Sequence, residues 1–386
     1  MEKTINECFF QIQNGANIKQ GDVEGGFPIT RIETTANDKF NRDRMGYAGI
    51  TDISKYEAYV LEDGDLLMSN INSVQYLGRT VLYVKQPDET IIHGMNLLRL
   101  KARRNIINPA YARYCFYGHT FRCQIGNITK KSVNQASFAV KDLKQIKIEV
   151  PSLDEQNKVV VILDRVQKLI DMRNIELASL DDLIKARFVE MFESVQETCK
   201  IGYYIKTLIA GKSLAGESEC ENKVLKTGAV SLDYFDASQM KNLPVDYKPQ
   251  KEHLVNVGDI IISRMNTAEL TGAAAYVWSV PNKVYIPDRL WKAILEEKCN
   301  PIFVWQMLIQ PSTKEQIQRE CSGTSGSMKN ISKAGMLGIK VKKVNIDMQN
   351  EFANFVKQVN KSKFAVQKSL KETKLLFDSL MQQYFG

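Results

Sequence analysis

The sequence is poor in the side chains that metal centres and nucleophilic triads require. Its three histidines, His93, His119 and His253, lie far apart in sequence, which argues against a metal site or a histidine-based triad. Its seven cysteines (Cys8, Cys115, Cys123, Cys199, Cys220, Cys299, Cys321) are scattered, with no Cys-x-x-Cys. An odd, unpatterned set fits reduced thiols in a cytoplasm, not a disulfide framework or a zinc site. No apolar run reaches 18 residues, so no membrane span is expected. The N-terminal "MEKTINECFF" lacks a basic stretch followed by an apolar one, so no signal peptide is expected. Neither Gly-x-Gly-x-x-Gly nor Gly-x-Ser-x-Gly occurs, nor the Asn-Pro-Pro-aromatic string of adenine methyltransferases.

Two short strings imitate catalytic motifs. "AGKS" (Ala210–Ser213) lacks the upstream glycine of a phosphate-binding loop, since Lys206 stands there. Asp288, Glu296 and Lys298 have half the pattern of a metal-dependent nuclease, but the spacing is short and the first half of the chain lacks it. An enzyme that used them would need all three. What is present is bulk for two soluble domains: 386 residues, 44% hydrophobic and 25% charged. The net charge of +8 favours an anionic partner, nucleic acid foremost.

The chain also repeats itself. "DGDLLMSNIN" (Asp63–Asn72) returns as "VGDIIISRMN" (Val257–Asn266), and "LKQIKIEVPSLDEQN" (Leu143–Asn157) as "MLGIKVKKVNIDMQN" (Met336–Asn350). A period near 193 residues is too long for a solenoid and means two copies of a domain.

Each copy ends in a long amphipathic stretch without glycine or proline. In the first, Val159, Leu163, Val166, Ile170, Arg173, Leu177, Leu180, Ile184, Arg187 and Met191 fall on one seam. In the second, the seam is Phe352, Val356, Val359, Lys363, Val366, Leu370, Thr373, Phe377, Leu380 and Tyr384, each 193 residues on. The alternating steps of four and three predict coiled-coil helices in a shared heptad register, each about 55 Å long. Ser152 or Asp154, and Asn345 or Asp347, are the candidate N-caps. The polar interruptions at Arg173, Arg187, Lys363 and Thr373 set register or lie at the edge of a thin pair. A pseudo-two-fold relation between the copies makes the helices antiparallel, with a head at either end.

The heads are expected to be α+β. Strand-like runs occur at "YEAYVLEDGDLLMSN", "GRTVLYVK", "NLLRLKA", "GDIIISR", "GAAAYVWSV" and "LWKAILE", and helices opening on Asn-Pro at Asn108 and Asn300. The division is residues 1–150, a central helix at 151–194, residues 195–343, and a C-terminal helix at 344–386. In the repeated phrase, Asp65 and Asp259 read as strand-turn chemistry. Asn70 and Arg264, where the strand emerges, are the candidates for surface work. The DNA-contacting candidates are Arg31, Lys39, Arg42, Arg44, Asn70, Asn72, Arg79, Lys130, Lys131 and Asn134 in the first head. In the second they are Arg264, Asn266, Arg289, Ser325, Ser327, Lys329 and Asn330. These side-chain types contact phosphates and base edges.

The duplicated head, the helix opening "PSLDEQ" and ending "FVEMF", and the Gly-Asp-apolar strands resemble the specificity subunit of Type I restriction–modification systems across the whole chain. The second helix departs from the pattern, with Val344 for the proline and Met348 for the glutamate. The resemblance implies a non-catalytic protein in which each head reads one half of a split, asymmetric site in double-stranded DNA. It implies that the helices set the spacing and dock two adenine-N6 methyltransferase subunits. It also implies that motor–nuclease subunits join, and that S-adenosylmethionine, ATP and magnesium belong to those partners. A structural adaptor that binds no nucleic acid is the other non-enzymatic reading.

Overall fold

A computed structural model describes residues 1–21, 25–133, 135–323 and 328–386. The chain divides into two compact units, Met1–Asn174 with Lys368–Gly386, and Ile175–Gln367. The cut passes through both long helices, so each unit contains a head and a half of each helix.

In the first unit a four-stranded antiparallel sheet is formed by β1 (Phe9–Asn14), β2 (Leu66–Met68), β3 (Thr80–Leu82) and β4 (Leu98–Ala102), in the order β1-β4-β2-β3. Helix α1 (Pro109–Tyr117) follows, and then the long α2 (Leu153–Phe192). In the second unit β5 (Ile205–Ala210), β6 (Ile260–Ser263), β7 (Ala274–Tyr276) and β8 (Leu290–Leu295) repeat the arrangement as β5-β8-β6-β7. Helix α3 (Pro301–Leu308) and the long α4 (Ile346–Phe385) complete it. Even a register irregularity is duplicated, between Phe9 and Gln11 in β1 and between Ile205 and Thr207 in β5.

Local chemistry explains these boundaries. Asn108 and Asn300 cap α1 and α3 by accepting from Ala110 N–H at 2.8 Å and Ile302 N–H at 3.0 Å. Each is followed by proline at the first helical position, where no N–H is missed. Ser152 forms a two-sided cap on α2: its Oγ accepts from Glu155 N–H at 3.3 Å, and its own N–H donates to Glu155 at 3.0 Å. In α4, Asn345 accepts from Met348 N–H at 2.9 Å. Met348 has no carboxylate to return the bond, so this cap is one-sided.

The expected strand over Tyr56–Asn70 is corrected. Ser54–Tyr59 is a 3-10 turn, begun where Asp52 accepts from Ser54 N–H at 3.0 Å, and the strand starts only at Leu66. Between them Gly64 has φ of 87°, and Gly258 has φ of 97° at the same place in the second unit. This left-handed turn suits glycine and breaks the extended run.

Within each unit the long helices pack on the head along the expected seam, whose positions are all buried or half-buried. In the first unit Val159, Val160 and Leu163 of α2 share a core with Phe377, Leu380 and Tyr384 of α4. In the second, Ile184 and Phe192 of α2 pack with Phe352, Val356 and Val359 of α4. The start of one helix thus meets the end of the other, and the pair is antiparallel. The polar interruptions are partnered. Arg187 reaches Glu190 at 2.9 Å and Glu351 at 3.1 Å, and covers the Phe355 ring. Lys363 pairs with Asp181, and Thr373 Oγ donates to Ser369 C=O at 2.7 Å.

Candidate nucleic-acid interface

The Gly-Asp strand is built alike in both units. Asp65 accepts from Glu62 N–H at 2.8 Å, and Asp259 accepts from Asn256 N–H at 2.8 Å. Behind each carboxylate lies a cation on the neighbouring strand, Arg99 at 3.9 Å and Lys292 at 3.9 Å. Arg99 also donates to the carbonyls of Val60 and Ala58, and Lys292 to that of Leu254. Burial pushes both carboxyls above the usual range, against the backbone donor and the cation. These aspartates close a turn, as their strand-turn reading has it.

Beyond the strand the backbone is clamped again. Asn70 C=O accepts from Phe138 N–H at 3.2 Å, and Arg264 C=O from Ile331 N–H at 3.1 Å. Ile71–Asn72 pairs with Ala136–Ser137, which pairs in turn with Lys130–Lys131. In the second unit Met265–Asn266 pairs with Lys329–Asn330. The structure therefore gathers two sets of candidates. Asn70, Asn72, Lys130 and Lys131, with Arg79 bonded through its C=O to Ser69 N–H, form one tip. Arg264, Asn266, Lys329 and Asn330, with Arg289 bonded through its C=O to Arg264 N–H at 3.1 Å, form the other.

Asn70 is not at an exposed tip: it is 6% exposed, and its side-chain Oδ1 is buried without a hydrogen-bond partner among the described residues. Asn72 and Asn266 use their side-chain carbonyls on the next residue's N–H, at 2.8 and 2.9 Å. Lys130, Lys131 and Arg289 are exposed. Lys329 donates to Gly323 C=O at 2.7 Å. Asn134, Ser325 and Ser327 lie outside the described residues.

The remaining candidates sit elsewhere in the first unit and are mostly engaged. Arg42 makes a two-pronged contact with Glu89, at 2.9 and 2.7 Å, under Phe40 and Tyr83. Arg42 thereby holds the Glu89 carboxyl down at about 2. Arg31 donates to Gln20 Oε1 and Gly21 C=O. Lys39 pairs with Asp171 of α2 at 3.0 Å. Arg79, whose backbone belongs to the first tip, has its side chain engaged as well: it pairs with Asp38 at 2.9 Å and covers Tyr76. Arg44 is exposed.

The catalytic imitations are structural. Ser213 bonds Asp288, Gly211 N–H donates to Pro287 C=O at 3.0 Å, and no helix follows "AGKS" to cradle a phosphate. Among the described residues no cluster of three His, Cys, Asp or Glu is placed to hold a metal, and no helix is long and apolar enough to cross a membrane.

One functional contact escaped sequence reasoning. Gln156 accepts from Asn108 N–H at 2.8 Å and donates to the Ile106 and Pro151 carbonyls at 2.9 Å. Beside it, Asn157 accepts from the Asn108 amide at 2.8 Å. Gln349 and Asn350 repeat this on Asn300 at 3.0 and 2.8 Å, with Gln349 donating to Val344 C=O. This clasp orients each long helix on its head. The repeated Gln-Asn at 156–157 and 349–350 was the available signal.

Comparisons with known proteins agree with this architecture. The family model of the Type I restriction modification DNA specificity domain matches residues 2–181. The specificity subunit of the putative Type I restriction enzyme MjaX from Methanocaldococcus jannaschii is 35% identical over 193 residues, covering 49% of this chain and 44% of that protein. The EcoKI specificity subunit of Escherichia coli is 24% identical over 151 residues, 39% of this chain and 32% of that one. The alignments thus span less than half of these relatives' lengths. In fold, the chain matches the Type I restriction–modification S subunit of M. genitalium over 100% of its own length and 96% of that chain, with a TM-score of 0.59 at 14% identity. A Type I restriction–modification structure solved in a study of complex assembly matches with a TM-score of 0.55 at 14% identity, over 100% of this chain and 97% of that one. Residues 2–181 thus carry a Type I restriction–modification DNA specificity domain, and the chain as a whole shares the fold of Type I specificity subunits.

Proposed function

We propose that each unit reads one half of a split, asymmetric site in double-stranded DNA, and that the chain does no chemistry itself. The observation that carries this reading is the pair of tips. Two heads share one sheet order and one Gly-Asp turn, yet place different side chains, Asn70 and Arg264, at the same clamped position. A scaffold built twice with unlike tips suits a site with unlike halves. The net charge of +8 supplies the sequence-independent attraction to phosphates.

The methyl transfer belongs to two adenine-N6 methyltransferase subunits that bind S-adenosylmethionine. Cleavage belongs to motor–nuclease subunits that use ATP and magnesium. Apolar residues left exposed on the helices support docking of protein partners. In the first unit these include Ile162, Leu169 and Met172, and in the second Ile175, Leu183 and Phe364.

Exchanging residues 1–150 for the head of another specificity subunit tests the reading. Methylation-sensitive long-read sequencing of a host carrying the chimaera and its methyltransferase is expected to show one half-site replaced and the other kept. An unaltered site, or DNA binding indifferent to salt, would refute it, because phosphate contacts impose a steep salt slope.

A further inference from the structure

Arg264 leaves β6 with its backbone held on both sides, by Arg289 C=O and by Ile331 N–H, each at 3.1 Å. Its guanidinium carbon lies 5.5 Å from the ring centroid of Trp291, a residue 1% exposed in the core of the second unit. At that distance the guanidinium and the indole face are in cation–π contact, which restrains the side chain. Arg264 Nε is buried and makes no hydrogen bond, and among the described residues the two terminal Nη groups bond no acceptor. Among the described residues no carboxylate pairs with this guanidinium. A half-buried cation is costly without an acceptor, and one already restrained by a ring loses little freedom on meeting one.

The first unit serves as an internal control. The same strand end there carries Asn70, its carbonyl bonded to Phe138 N–H at 3.2 Å. The strand partner corresponding to Trp291 is Leu98: Ile262 pairs with Trp291, and Met68 with Leu98. The clamp is therefore formed without either the arginine or the ring. The fold does not require the Arg264–Trp291 pair, and both members change together between the units. Phosphates are alike at every half-site, so a contact to them alone would give no reason for this divergence. Base edges differ. A planar fork that presents two donors matches guanine O6 and N7 in the major groove.

We propose that Arg264, laid on Trp291, reads one guanine of the half-site recognised by the second unit. This assignment rests on the two-half-site reading above. The experiment uses the full chain in complex with a methyltransferase subunit of the proposed class, selecting from DNA randomised at both halves. Wild type, Arg264→Lys and Arg264→Ala are compared. Arg264→Lys keeps the charge but loses the fork, and a thermal melt shows whether it is folded.

Both variants are expected to lose preference for guanine at one position of one half, by on the order of ten- to a hundred-fold, with the other half untouched. A phosphate contact would behave otherwise. Arg264→Lys would keep the full site, and Arg264→Ala would weaken all sequences alike with a shallower salt slope; that result overturns the assignment. Should wild type select no two-part site, the underlying functional reading fails, and the assignment falls with it.

Discussion

In the first unit Gln156 binds Asn108 N–H and two carbonyls, and in the second Gln349 binds Asn300 N–H and the Val344 carbonyl. The two joints match closely, as do the repeated segments that carry them. At the strand tips the comparison reverses. The clamp on Asn70 and Arg264 is shared, but one side chain is turned inward and the other lies on an indole. Where a head grips its helix, the geometry of buried polar groups tolerates few solutions. At the strand tips the shared constraint falls on the backbone carbonyl, and the side chains diverge.

The comparison is most readily broken at the joint. Gln156→Ala and Gln349→Ala each leave buried backbone groups unpaired, at a cost of about 2–4 kcal/mol. Denaturation monitored by hydrogen exchange in each unit is expected to show equal losses, each confined to its own unit. Unequal losses would mean that the joints are alike only in outline.

Acid sharpens the contrast between the heads. His93 is buried in the first unit, with Nε2 against Leu97 C=O at 2.9 Å, and the second unit has Ile286 in the matching place. Burial, with Arg99 nearby, lowers the imidazole from its usual 6.5 to about 3. The unfolded chain therefore takes up a proton below about pH 6.5 that the folded unit refuses until about pH 3. Stability from this group is complete above pH 6.5 and declines as pH falls toward 3. Thermal unfolding of His93→Gln is expected to decline less between pH 7 and pH 5 than that of wild type. An identical decline in both would assign the acid sensitivity to other groups.

The smallest effect concerns the caps. Ser152 and Glu155 satisfy each other's backbone donors, whereas Asn345 works alone. Ser152→Ala is expected to cost about 1–2 kcal/mol and Asn345→Ala about 1 kcal/mol, with fraying by hydrogen exchange at the first turn of α2 or α4. A larger loss at Asn345 would reverse this ordering.

Much of the architecture was legible in the sequence. The 193-residue offset of the seam, from Val159 with Phe352 to Met191 with Tyr384, required two helices in one register, because the steric period of a helix leaves few alternatives. Gly-Asp before three apolar residues marked a turn into a buried strand, and Asn-Pro marked the start of α1 and α3. The expectation of Asn70 at an open tip did not hold, because burial there depends on Phe138 and Ala136, some 66 residues away in the chain. The engagement of Arg42 by Glu89 and of Lys39 by Asp171 was likewise hidden, since a basic run does not disclose its partners.

Sequence alone thus determined the duplication, the helix register and the strand turns. Each rests on local periodicity or on the conformational limits of glycine, proline and cap residues. Tertiary structure decided which polar side chains are available to a ligand. That depends on distant segments: Trp291 under Arg264, Phe138 bonded to the Asn70 carbonyl, and the two glutamine clasps. A side chain's exposure is a property of everything packed around it, and the sequence lists those neighbours without saying which of them meet.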